Sequence, residues 1–149
     1  MDEAVHIAVK QWLEKASNDL RTAETMLSVN PPVTDTSCYH AQQCVEKALK
    51  ACLTWAGKHV ERTHNLPRLI ELCDTDFPGI SQWVDAAVEL TDYATETRYP
   101  DDWREIPVSE ASVAVQHAKE VFTWIQSEID RKKVDDLTDA EKEKPEDAE

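Results

Sequence analysis

The stretch Tyr39-His40-Ala41-Gln42-Gln43-Cys44-Val45-Glu46-Lys47-Ala48-Leu49-Lys50 reads as one uninterrupted helix with two faces. Ala41, Val45, Ala48 and Leu49, with Cys38 and Cys52 at the flanks, follow the three-and-four spacing of a buried stripe. His40, Gln43, Glu46, Lys47 and Lys50 cover the remaining surface with groups that donate and accept hydrogen bonds. A helix that only packs needs the stripe and is indifferent to the polar residues around it. This helix is therefore the first candidate for function.

Working outward, Ile7, Leu13, Ala16, Leu20, Ala23 and Leu27 predict a first helix over residues 5–29. Asn30-Pro31-Pro32 ends it, because proline has no amide to donate and restricts the residue before it. Asp35, Thr36 or Ser37 is expected to cap the second helix, which runs to Trp55 and stops at Gly57. Residues 58–64 read as a connector. Asn65 or Thr63 caps a short third helix carrying Leu66, Leu69, Ile70 and Leu72, with Pro67 in its first turn. Trp83, Val84, Ala87, Val88 and Leu90 predict a fourth helix over residues 80–95. Ser109 is expected to cap the last helix, with a core face of Val113, Ala114, Ala118, Val121, Phe122, Ile125 and Ile129. This describes an all-α, up-and-down bundle of four long helices and one short one over residues 1–132. Residues 133–149 form an acidic tail, expected to be disordered.

Composition agrees. Two glycines in 149 residues are too few for strands joined by tight turns. No apolar run approaches the roughly 18 residues that span a bilayer, and the N-terminus lacks the pattern of a secretory signal, so a cytoplasmic location is expected. Cys38, Cys44, Cys52 and Cys73 form no Cys-x-x-Cys pair and read as buried free thiols. The net charge of −14 argues against a salt-driven, general nucleic-acid binder. Residues 134–149 hold eight acidic and two basic residues, −6 of the total, which leaves −8 on residues 1–133. A local basic patch on the body stays open.

Three blocks, in this order, resemble the HEPN-domain family. They are Trp12-Leu13 with Ala16, Asp19-Leu20 and Ala23; the 39–50 block; and His64-Asn65-Leu66 followed by Arg98-Tyr99-Pro100. The resemblance implies a dimeric helical bundle, found alone or beside a minimal nucleotidyltransferase. It also implies a role in a toxin–antitoxin or stress-response pair. Many such proteins are metal-independent ribonucleases built on an Arg-x4-6-His motif paired across the dimer. There a histidine moves a proton while an arginine stabilises the crowded phosphate. None of His6, His40, His59, His64 and His117 has an arginine at that spacing, so this motif is not written here.

The candidate ligand-binding residues are His40, Gln43, Lys47, Lys50, Arg98 and Tyr99. The first four fall at i, i+3, i+7 and i+10 and read either as a phosphate or nucleotide site or as a solvated helix face. Arg98 with Tyr99 reads as a phosphate fork with a stacking ring, or as a helix-end arginine over a packed ring. Arg98 with His64 or His40 is the candidate catalytic pair of a divergent ribonuclease; a non-catalytic interaction scaffold is the other alternative. Tyr99 is also a candidate nucleotidylation acceptor under the resemblance. Trp12, Trp55, Trp83 and Trp124 read as core or interface, and Trp103 as the tryptophan placed to touch a ligand or partner. Glu3/His6 and Glu61/His64 have the spacing of carboxylate-bridged metal ligands but sit at the chain start and in a connector. Neither metal nor cofactor is expected.

Overall fold

The computed structural model describes residues 2–96 and 104–143. Most of them are helical: α1 (Glu3–Ser28), α2 (Thr34–Trp55), α3 (Leu66–Cys73), a 3₁₀ turn (Ile80–Trp83), α4 (Val84–Thr91), α5 (Tyr93–Glu96) and α6 (Val108–Glu143). Among the described residues there is no strand. α1 and α2 form an antiparallel hairpin. His6 stacks on Trp55, the Lys50 ammonium lies over the Trp12 ring, and Ser37 Oγ donates to the Ala23 carbonyl at 2.7 Å. α6 packs along both helices.

α2 is the central helix. Every residue of its expected stripe is fully buried, and so are Cys44 and Ala51. Gln42, Glu46 and Lys50 are buried as well, so α2 is enclosed over most of its circumference. All four cysteines are free and buried. Burial pushes the Cys38 thiol up to about 11 and raises Cys44 and Cys52 as well.

The ends of the elements show where local chemistry decides. At the end of α2, Gly57 takes φ 69, its N–H donates to the Thr54 carbonyl (3.1 Å) and the Lys58 N–H to Leu53 (3.0 Å). That is a Schellman stop. Asn65 caps α3 by accepting the Arg68 N–H at 3.0 Å. The expected caps of α2 are corrected: the helix begins at Thr34, before Asp35, Thr36 and Ser37, and Val33 holds the cap position without a side-chain bond. Ser37 cannot cap, because its hydroxyl is committed to α1. Ser109 likewise lies inside α6, whose first turn is closed by the Ala111 N–H on the Pro107 carbonyl at 3.1 Å.

Other expectations change as well. Ile7 is half exposed, and Val9 is buried in its place. Val9 lies four residues before Leu13 and continues the stripe, whereas a six-residue offset turns Ile7 away. Val88 and Val113 are also exposed, each one residue out of step with its buried neighbours Ala87 and Ala114. The expected fourth helix is divided into the 3₁₀ turn, α4 and α5, with a turn at Asp92. α6 continues ten residues past position 133. Its apolar periodicity does end at Ile129, but Arg131 pairs with Glu128 and Asp135 along the surface, and extending an existing helix is far easier than nucleating one.

Candidate functional site

The polar residues of α2 do not form one open face. Lys47 follows His40 by seven residues, about two turns, so the two point the same way. Glu46 follows His40 by six, which places it about 120° around the helix. Each direction meets a different neighbour.

On the first side, α1 brings Asp19 into the register of its own apolar stripe, between Ala16 and Ala23. Asp19 Oδ1 accepts from His40 Nδ1 at 2.7 Å, and Oδ2 accepts from Lys47 Nζ at 2.6 Å. The carboxylate is 10% exposed, against 28% for His40 and 24% for Lys47, so the anion is inside and the two donors form its outer surface.

On the second side, the connector ahead of α3 brings His64. Glu46 Oε1 accepts from His64 Nδ1 (2.7 Å) and from Gln42 Nε2 (3.2 Å), and Oε2 accepts from Lys50 Nζ (3.2 Å). The His64 carbonyl accepts from Thr91 Oγ1 at 3.0 Å, and Thr91 Oγ1 accepts the Leu66 N–H at 3.0 Å. The connector, the start of α3 and the end of α4 are thereby tied to one another. Gln43 joins through Gln42, donating Nε2 to its Oε1 at 2.7 Å.

A charge taken out of water needs compensating partners, and here each buried carboxylate has an ammonium and an imidazole. The pairing also fixes the chemistry left over. A carboxylate oxygen only accepts, so Nδ1 carries the proton in both imidazoles and Nε2 is the nitrogen free to act. Lys47 gives Asp19 one of its three N–H groups and keeps two. The surface can therefore accept a proton at Nε2 and donate several hydrogen bonds to an oxyanion. Because both lysines face their own carboxylates, attraction here is short-ranged.

Of the residues singled out from sequence, His40 and Lys47 come together through Asp19, and Lys50 and His64 through Glu46. Gln43 lies between the groups. Arg98, Tyr99 and Trp103 fall outside the described residues. The two carboxylates that organise everything, together with Gln42, were missed as site residues. Asp19 left a signal, since an acid in the register of a buried stripe requires a buried partner. Glu61 and His64 are not a metal pair: Glu61 binds Arg68 at 3.3 Å while His64 binds Glu46. His6 stacks on Trp55 with ring centroids 5.5 Å apart. No group of three or more possible metal ligands occurs among the described residues.

The family model of the HEPN domain matches residues 9–129. Among solved structures, the chain is similar to TT1696 from Thermus thermophilus, at 29% identity and a TM-score of 0.66, over 80% of this chain and 96% of that one. It is similar to ST0689, an archaeal HEPN homologue, at 25% identity and a TM-score of 0.65, over 81% and 97%. A HEPN domain protein from Thermotoga maritima shares the fold at 21% identity and a TM-score of 0.66, over 81% and 98%. No curated protein matches significantly.

Proposed function

The chain belongs to the HEPN-domain family, and from that premise we propose that it binds a nucleotide or RNA phosphate as the partner of a minimal nucleotidyltransferase. In this reading it is a cytoplasmic homodimer within a toxin–antitoxin or stress-response pair. No helix among the described residues is long and apolar enough to cross a membrane. The observation that carries the binding claim is the Asp19 carboxylate holding His40 at 2.7 Å and Lys47 at 2.6 Å. A lysine and an imidazole held in place by a buried anion lose little freedom when an oxyanion arrives. The near-neutral pairing suits a small ligand or a single phosphate better than a long polyanion steered from a distance.

Calorimetric titration with ATP, GTP and short RNA tests this. Wild type is expected to give saturable heat, and Lys47→Ala to bind on the order of ten- to a hundredfold more weakly, the weight of hydrogen bonds to a charged group. Absence of heat from wild type at millimolar ligand overturns the reading.

A second reading, a divergent metal-independent ribonuclease, is favoured by the other carboxylate. Glu46 holds His64 by Nδ1, and the imidazole is 55% exposed, as a proton-transferring histidine requires. Arg98 would supply the phosphate contact. RNA cleavage in EDTA that disappears in both His64→Ala and Arg98→Ala supports this reading; cleavage at the wild-type rate in either variant ends it.

A further inference from the structure

The chain of amides on α2 has a direction, and the direction is set by what lies at its buried end. Glu46 Oε1 and the His64 carbonyl are acceptors, so Gln42 must turn its NH₂ group toward them, at 3.2 and 3.4 Å. Gln42 is fully buried, and a buried amide turned the other way would set oxygen against oxygen. Its own Oε1 therefore faces the opposite direction, where only a donor fits. Gln43 Nε2 fills that place at 2.7 Å.

The consequence falls on Gln43. Its nitrogen is drawn inward, so its Oε1 is the atom left over. That oxygen accepts from no donor among the described residues, and Gln43 itself is partly exposed. On the helix surface Gln43 neighbours both His40, three residues before it, and Lys47, four after. The ledge therefore offers donors at Lys47 and, once its Nε2 has taken a proton, at His40, with one fixed acceptor at Gln43. A simple phosphate uses the donors and ignores the acceptor. The complementary ligand carries an anion and, some distance away, an N–H group.

We infer that this surface selects nucleotides by their exocyclic amine, with phosphate on Lys47 and His40 and the base amine donating to Gln43 Oε1. The inference rests on the binding reading above and adds the class of base. Reach favours a base amine over a ribose hydroxyl. Gln42 lies about 160° around the helix from His40, so it draws the tip of Gln43 away from the phosphate donors.

The test compares AMP with purine riboside 5′-monophosphate, and GMP with IMP, by calorimetry. Each pair differs by one exocyclic amine and keeps ribose and phosphate unchanged. In wild type the amine-bearing member of at least one pair is expected to bind about 3- to 10-fold more tightly, the weight of one neutral hydrogen bond. In Gln43→Met, which keeps length and helix propensity but removes the acceptor, the ratio is expected to fall to about 1 while binding persists. Equal affinities within both pairs in wild type overturn the inference and leave phosphate binding standing. A ratio that survives Gln43→Met overturns it too. If wild type binds none of the four, the binding reading falls and this inference falls with it.

Discussion

Glu46 accepts donors from three side chains while its own is 5% exposed, so its removal is felt by all three. Glu46→Ala leaves Lys50, 11% exposed, without its counter-charge, and is expected to cost about 3–5 kcal/mol in urea denaturation. The double variant Glu46→Leu/Lys50→Met removes both charges and should recover most of that loss. Losses that simply add in the double variant would show that the two charges are not coupled. The exposed pair Arg131–Glu128 gives a contrast, since solvent screens such surface pairs and they contribute little. At this scale the sequence displayed the donors but not their acceptors. His40, Lys47, Lys50 and His64 stood out by residue type. Asp19 and Lys47 lie 28 positions apart, and only the α1–α2 hairpin makes them neighbours.

Helix positions were legible wherever a local device sets them: Asn30-Pro31-Pro32, Gly57 and Asn65 each do what their chemistry dictates. They were less legible where a tertiary bond competes, as when the Ser37 hydroxyl goes to α1 instead of capping α2. The joint between α5 and α6 is another tertiary arrangement that no local pattern announces. Glu110 of α6 accepts from Tyr93 Oη of α5 at 2.8 Å and from both terminal nitrogens of Arg104, at 3.2 and 2.8 Å. The Arg104 bonds, with Tyr93 adding to them against the opposing effect of burial, hold the Glu110 carboxyl below its ordinary value of 4.5. A depressed carboxylate contributes stability that is complete above its unfolded pKa and fades as pH falls through the folded one. The stability gap between wild type and Arg104→Met is therefore expected to be constant above about pH 5 and to narrow toward about pH 3. A gap that widens in acid would assign the Arg104 contribution to something other than Glu110.

Across the whole molecule, charge and packing separate along α6. Its buried contacts end at Ile129, while Val134 and Leu137 are more than 60% exposed. Removing residues 134–149 takes away −6 of the −14 and is expected to change unfolding free energy by less than about 1 kcal/mol, because the described residues of this segment make only surface pairs. A larger loss in thermal or urea denaturation would mean that the end of α6 braces the bundle. The fold as a whole was readable because the α2 stripe survives any error at its ends. Its central place was not, since an enclosed helix with Gln42, Glu46 and Lys50 on its surface looks amphipathic in sequence. That enclosure has a mechanical consequence. The buried face of α2 mixes small alanine and cysteine side chains with Val45, Leu49 and Leu53, and the polar contacts on its flanks fix its register further. Asp19 on one flank and His64 on the other act as pins on this shaft. Any slip or rotation of α2 would tear Asp19 from Lys47 and Glu46 from His64 together.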